Sequence, residues 1–179
     1  MSIELLAQQG RSRIYGGLAS VEAAKLRQMR DSGLRACFAR LEDTPYRMEF
    51  VAHIHEKNFV NDAAARNVNA TWFALDHARG GVIWIVMGGD ETADYTPLRQ
   101  IALRKVRMMI CVGKAGENMR RVFVGVVPEI IEVNNLAEAV NRACYSAMDN
   151  VQVLFSPATR VGESTEVLGR MFSREVIEL

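Results

Sequence analysis

NDAAARNVNATW, residues 61–72, decides the fold of this chain. It follows a short extended segment, and the polar residues Asn61 and Asp62 stand where that segment ends. Asn61, Asp62 and Asn67 together form the frame of a strand-to-helix turn, and Trp72 belongs to the helix that follows. We expect the Trp72 ring in the core, as we do for Trp84 in the next apolar run.

Four short, mostly apolar runs follow, and the first, residues 82–87, is continuous and is predicted to be a strand buried on both faces. They span residues 82–87, 106–112, 129–133 and 151–155. Residues 95–104, 117–123 and 136–148 are predicted helices between them, and Asn134 or Asn135 can cap the third. Strands that alternate with helices predict βαβ units with right-handed crossovers and a parallel sheet.

The residues before this block have a different pattern. Residues 48–54 and 58–60 form two extended pieces around a turn, and residues 11–40 read as two helices with a break at residues 31–33. Pro45 disfavours helix in the residue before it, so residues 43–45 are the predicted linker. We therefore predict a Rossmann-like α/β domain over residues 46–179, with a doubly wound, mostly parallel sheet and a β-hairpin leading into it. Residues 1–45 are a predicted helical appendage.

Composition limits the classes of function. The net charge is +1 and acidic residues are interspersed among the basic ones, so we predict neither a nucleic-acid nor a membrane surface. No apolar run is long enough to span a membrane, and no leader segment is recognised. Cys37, Cys111 and Cys144 are far apart in apolar runs, which is typical of buried free thiols in a reducing cytoplasm.

Several segments of the chain, in their shared order and spacing, resemble the Mur ligases, and within that family the branch that adds D-glutamate to UDP-N-acetylmuramoyl-L-alanine. They are Ser2–Tyr15, Tyr46–Glu49, Asn61–Trp72, Gly88–Tyr95 and Ser156–Ala158. The resemblance covers nearly the whole chain but only the C-terminal part of such an enzyme. It implies that residues 1–45 correspond to the end of the family's central domain and residues 46–179 to its C-terminal domain.

The resemblance also implies a chemistry, in which ATP phosphorylates a carboxylate and an amine attacks the acyl phosphate. That chemistry needs a phosphate-binding loop, a cation and magnesium. The sequence has no Gly-x-x-x-x-Gly-Lys-Ser/Thr loop. Where the family has a lysine and a threonine, this chain has Ala64 and Arg66, and Tyr46 replaces a histidine. Losing a cation from an anion site weakens binding sharply, so we predict a domain that kept the fold and left ligase chemistry.

Other matched segments lose ligand-handling positions in the same way. The turn at residues 88–94 is one residue shorter than in the family and lacks its lysine. The loop that opens with Ser156 departs from the family pattern at Thr159, where a serine and an aromatic residue would help to hold the amino-acid carboxylate.

Six residues remain candidates for ligand binding, and no catalytic residue is predicted. They are Arg47, Asn61, Asp62, Arg66, Asp94 and Ser156. No metal site is predicted, because His53 and His55 share a strand face but have no third ligand nearby.

Three candidates have structural alternatives. Arg47, which the resemblance places near phosphates, could bind an anion or could be a surface residue that ties the linker to the sheet. Asp62 could orient an amine or a metal, or could cap a helix. Arg66, in the expected first helical turn, could bind phosphate with Arg47 or point into solvent.

Three functions fit these observations. The first is a non-catalytic binding or regulatory module of peptidoglycan precursor synthesis, with a Mur ligase or a nucleotide sugar as its partner and no expected cofactor. The second is a C-terminal part that completes D-glutamate ligation with a separately supplied domain, together with ATP and Mg²⁺. The third is a nucleotide or anion binder that uses Arg47, Asp62 and Arg66.

The resemblance also predicts a homodimer through residues 11–40, because in the family such helices pack on a central domain. Whether the chain is a natural short protein or a fragment of a longer ligase stays open at this point.

Overall fold

The computed structural model of the protein describes residues 44–87, 93–113, 116–160 and 162–179. The chain divides into two units at Asp43 and Thr44, and all described residues belong to the second. The helices predicted over residues 11–40, the dimer predicted through them, and Cys37 lie outside the described residues. Residues 88–92 of the glycine-rich turn lie outside them as well.

A six-stranded sheet forms the centre of the domain. Its strands are β1 (Glu49–Ile54), β2 (Lys57–Asn61), β3 (Gly81–Met87), β4 (Val106–Val112), β5 (Glu129–Val133) and β6 (Val151–Phe155). The spatial order is β1-β2-β6-β3-β4-β5. Only the β1–β2 pair is antiparallel, and the other neighbours are parallel, which confirms the predicted hairpin and the mostly parallel sheet.

Helices cover both faces of the sheet. They are α1 (Val68–His77), α2 (Arg99–Lys105), α3 (Gly116–Phe123), α4 (Leu136–Cys144) and α5 (Thr165–Ile177), with a 3₁₀ turn at Thr96–Leu98 before α2. Residues of α1, α2 and α3 pack with Trp84 and Leu154 on one face, and residues of α4 and α5 pack with Ile83 and Phe155 on the other. The two-sided burial explains why β3, in the middle of the sheet, is a continuous apolar run.

Three details differ from the sequence-based expectations. The prediction that Trp72 lies in the core is wrong, because its side chain is 40% exposed, whereas Trp84 is fully buried as predicted. The helix predicted over residues 136–148 ends at Cys144. Helix α5 was not predicted, although Leu168, Phe172 and Val176 recur at helical spacing and are fully buried.

The prediction of buried free thiols is confirmed for the two cysteines that the structure describes. Cys111 and Cys144 are free and buried. Burial is the main cause that raises the pKa of Cys111, to about 12, and it also raises the pKa of Cys144. Among the described residues, none of the helices is long and apolar enough to cross a membrane.

Candidate functional site

The C-terminal ends of three neighbouring strands bring Asp62 and Ser156 together. β2 pairs with β6 so that Asn61 lies beside Phe155, and the Asp62 N–H donates to the Phe155 carbonyl at 2.8 Å. The Ser156 N–H continues the ladder to β3 by donating to the Ile85 carbonyl at 3.1 Å. Both residues therefore leave the sheet at its carboxyl edge, which is where open α/β sheets form ligand crevices.

The Asp62 carboxylate is the centre of a buried hydrogen-bond network. The Ser156 hydroxyl donates to Asp62 Oδ2 at 3.2 Å, and the Met48 N–H donates to Oδ1 at 3.2 Å. Thr71 Oγ1 lies 2.8 Å from Ser156 Oγ. Because a serine hydroxyl has one proton to donate, Thr71 is the donor in this contact while Ser156 bonds the carboxylate. Trp84 holds the same turn by donating its indole N–H to the Ser156 carbonyl at 2.9 Å.

Arg47 completes this network with a charge. Its Nη1 lies 3.1 Å from Asp62 Oδ1, and the side chains of Arg47 and Asp62 are 6% and 0% exposed. Its Nη2 donates to the Ala70 carbonyl at 3.4 Å, and its guanidinium lies 5.6 Å from the centre of the Phe73 ring. The alternative of a surface arginine is therefore wrong: the guanidinium is enclosed by the turn after β1, by Asp62 and by helix α1.

Burial sets the protonation of Asp62. Desolvation raises the pKa of this carboxyl from 3.8 to about 7, although Arg47, the Met48 N–H and the Ser156 hydroxyl each lower it. Ionising the Asp62 carboxyl group therefore costs free energy even though Arg47 lies beside it. The pair is also nearly closed to solvent, which hinders the approach of an outside anion to Arg47.

The structure brings together three of the six predicted residues, namely Arg47, Asp62 and Ser156. Asn61 points to the other face of the sheet, where its Nδ2 donates to the Gly169 carbonyl at 2.8 Å and to Ser173 Oγ at 3.0 Å. It anchors helix α5 and is not part of the network around Asp62.

Asp94 and Arg66 also lie outside the network around Asp62. Asp94 is exposed, and its Oδ1 accepts the Thr96 N–H at 2.9 Å; hydrogen bonds from Thr96 lower the pKa of Asp94. Arg66 is half-buried and precedes helix α1, because Asn67 is the residue that caps this helix through a 2.8 Å bond from the Ala70 N–H. The capping role considered for Asp62 is therefore wrong.

Two residues of the network were not predicted. Thr71 and Phe73 both lie on α1, and Thr71 is fully buried. A threonine that falls on the apolar face of a helix is the kind of signal that could have identified Thr71, because buried hydroxyls need a partner.

No three His, Cys, Asp or Glu side chains of the described residues converge in a way that could hold a metal ion. His53 Nδ1 instead lies 2.9 Å from Asn58 Oδ1, and the His55 ring lies 5.9 Å from the Tyr145 ring. Both contacts belong to the hairpin and its neighbour α4.

The sequence is similar to ligases that add D-glutamate to UDP-N-acetylmuramoylalanine. The sequence is 32% identical to UDP-N-acetylmuramoylalanine–D-glutamate ligase from Porphyromonas gingivalis over 100% of this chain and 40% of that enzyme. It is 34% identical to the ligase of the same name from Chlorobium limicola over 96% of this chain and 37% of that enzyme. The chain therefore spans about 40% or less of the length of these relatives, and no protein-family model matches it.

Solved structures confirm the fold. MurF from Acinetobacter baumannii superposes with a TM-score of 0.52 at 14% identity, over 76% of this chain and 31% of that one. UDP-N-acetylmuramate–alanine ligase from Thermotoga maritima superposes with a TM-score of 0.51 at 14% identity, over 74% of this chain and 30% of that one. At such low identity the likeness shows the fold alone.

Proposed function

We propose, from the premise that this chain is a relative of the Mur ligases and matches the C-terminal portion of their D-glutamate-adding branch, that it is a non-catalytic module of peptidoglycan precursor synthesis. The observation that carries this proposal is the ion pair between Arg47 and Asp62. A guanidinium that is buried and already bonded to a carboxyl group of its own chain is poorly available to a phosphate, so Arg47, the cation that the family pattern keeps at this edge, is withdrawn from ligand binding.

The role we assign is binding or regulation in the cytoplasm. The partner is a complete Mur ligase or a nucleotide-sugar intermediate, and the module needs no cofactor of its own. The replacement of the family's lysine by Ala64 supports this role, because a domain selected only for its shape can lose ligand contacts and keep its core.

Phosphate release tests the absence of catalysis. The chain is incubated with ATP, Mg²⁺ and UDP-N-acetylmuramoyl-L-alanine, with and without D-glutamate. We expect no release that depends on D-glutamate, and a D-glutamate-dependent release by this chain alone would contradict the proposal.

Binding measurements test the module itself. Calorimetric titration with UDP-N-acetylmuramoyl-L-alanine asks whether a nucleotide sugar is the partner, and co-sedimentation with a complete D-glutamate-adding ligase asks whether an enzyme is. Binding in one of the two supports a module of this pathway. If neither experiment detects binding, the proposal of a binding module in this pathway loses its support.

A second candidate function is completion of D-glutamate ligation in trans. It is favoured by the match to only the C-terminal portion of the ligase relatives. Mixing the chain with a separately produced ATP-binding part of a relative, with ATP and Mg²⁺, would restore ligation if this function holds. If the mixture forms no product, completion of ligation in trans is excluded as the function of this chain.

A third candidate is a simple nucleotide or anion binder, which the half-buried Arg66 beside the start of α1 favours. Thermal unfolding with and without inorganic phosphate tests it. A rise in Tm that is lost in Arg66→Ala and kept in the exposed control Arg104→Ala would support this function.

A further inference from the structure

The two edges of the sheet differ in regularity. β1 forms one edge, and its register with β2 is interrupted between Phe50 and Ala52. β5 forms the other edge and stays in continuous parallel register with β4 from Glu129 to Val133. Within the part of the chain that the structure describes, no strand pairs with the outer side of β5. A bulge hinders an edge from pairing with another chain, so β5 is the edge that is geometrically ready to accept a strand.

Open clefts lie on both faces of β5. On the α4 side, Glu129 and Ile131 line a cleft of about 530 Å³ together with Tyr145, whose side chain is 68% exposed. On the opposite side, Ile130 lines a cleft of about 440 Å³ together with Arg120 and Val124. Alternate side chains of the strand thus point to two different clefts, and Ile130 and Ile131 are both only half-buried. Pockets for alternate side chains beside an open edge are the geometry that an added strand uses.

We propose that β5 pairs antiparallel with β5 of a second copy of this chain and joins the two sheets into one. The sequence Glu-Ile-Ile-Glu-Val of this strand selects the register. Centring the pair on Ile131 places Ile131 opposite Ile131 of the partner subunit, Ile130 opposite Glu132 of the partner subunit, and Glu129 opposite Val133 of the partner subunit. A shift by one residue in one direction places Glu129 opposite Glu132 of the partner subunit, and facing like charges destabilise a strand pair. A shift in the other direction leaves Glu129 without an opposite residue in the partner strand and separates the two Ile131 side chains.

Charge complementarity favours a second copy over an unrelated peptide. Arg120 Nη1 lies 3.6 Å from Glu132 Oε1, and both side chains are exposed. In the proposed register, Glu132 of the partner subunit stands opposite Ile130, which lines the same cleft as Arg120. Each Arg120 therefore gains a second carboxylate, and the two-fold symmetry repeats the contact on the other side. Such rim charges fix the register more than they add affinity.

The oligomeric state of the whole chain tests the proposal by analytical ultracentrifugation over a wide range of protein concentration. We expect the unsubstituted chain to reach at least twice its 20.0 kDa, and Ile131→Lys to halve the mass of the largest species. The matched control is Phe50→Lys, which adds the same charge at an exposed position of the bulged edge and leaves the mass unchanged. An unsubstituted chain that stays monomeric, or an Ile131→Lys variant of unchanged mass, would overturn the proposal.

A charge reversal tests the register and does not disturb the half-buried isoleucines. Glu132→Lys or Arg120→Glu alone should weaken association, because each places like charges together across the interface. The double variant, Arg120→Glu with Glu132→Lys, should restore it. A double variant that associates no better than the single ones would overturn the proposed register. Circular dichroism of each variant verifies that the fold is retained.

Discussion

The carboxyl edge around Asp62 and the lateral edge at β5 use their polar groups in opposite ways. At the carboxyl edge, Asp62 is bonded by Arg47, Met48 and Ser156, and every partner is supplied by the chain itself. At β5, the outer backbone groups have no strand partner within the described residues. The edge where the family resemblance places ligands is therefore occupied by the chain's own side chains. The unpaired backbone groups of β5 are where we propose a contact with a second copy.

The largest effect is expected from Asp62→Ala, which leaves the guanidinium of Arg47 buried without its partner. Breaking a buried ion pair from one side costs about 3–5 kcal/mol, and urea unfolding above pH 7, where Asp62 is ionised, should show a loss of this order. The control is Asp76→Ala, which removes one partner of an exposed pair with Arg104 and should cost about 1 kcal/mol or less. Equal losses in the two variants would mean that the carboxyl edge is not closed.

The second effect concerns the packing that supports this closed region. A Cβ on Gly169 would overlap the Tyr46 ring, so Gly169→Ala should cost about 1–3 kcal/mol in unfolding experiments. Gly162→Ala is the control, because a Cβ there meets nothing within 4 Å. The double variant, Gly169→Ala with Tyr46→Ala, should recover part of the lost stability. If it does not, steric conflict with the Tyr46 ring is not the cause of the destabilisation.

The third effect is a pH dependence with a defined sign. Between pH 3.8 and about 7 the folded protein keeps a proton on Asp62 that the unfolded chain has released. Raising the pH through this range therefore lowers the contribution of Asp62 to stability, by up to about 1.4 kcal/mol per pH unit. Asp62→Asn, which cannot ionise, should remove this slope in the free energy of unfolding.

Asp94 should change the stability with pH in the opposite direction to Asp62. Hydrogen bonds lower its pKa, so its contribution to stability is present above pH 3.8 and is lost as the pH falls through its folded pKa. Asp94→Asn should leave the slope between pH 4 and pH 7 intact. A slope that survives Asp62→Asn would show that another group is responsible.

The smallest effect lies in the hairpin that leads into the sheet. His55 and Glu56 both have positive φ angles, 47° and 59°, in the turn between β1 and β2, where asparagine and glycine are preferred. Glu56→Gly should stabilise the fold by about 1 kcal/mol or less, because it relieves this strain at some entropic cost. The control Glu163→Gly, in an exposed loop, should not stabilise the fold. If Tm rises equally in the two variants, relief of backbone strain at Glu56 is not the cause.

Much of the fold could be predicted because the central strands lie between two layers of helices. The bounds of β4, β5 and β6 agree with the runs predicted from the sequence, because most of their residues are apolar and face the helices on either side. Trp72 was misplaced because size and hydrophobicity do not reveal direction. Its neighbours Thr71, Ala74 and Leu75 define the buried face of α1, and Trp72 falls beside that face.

The site could be predicted only in part. Asp62 and Ser156 follow adjacent strands, so their proximity is a consequence of the parallel sheet. The pairing of Arg47 with Asp62 depends on the turn before β1, in which Tyr46 and Met48 take positive φ angles of 60° and 49°. Residues of these types seldom adopt such angles, so local sequence gave no reason to expect that the turn carries Arg47 into the core.

The closure of Arg47 by Asp62 is tested most directly by NMR of these two side chains. The carboxyl carbon of Asp62 should titrate with a midpoint of about 7, and both the midpoint and the Arg47 guanidinium signals should stay unchanged when ATP and Mg²⁺ are added. Displacement of the Arg47 signals by ATP, together with a shift of the Asp62 carboxyl signal, would show that the pair opens to an anion. That result would contradict the account.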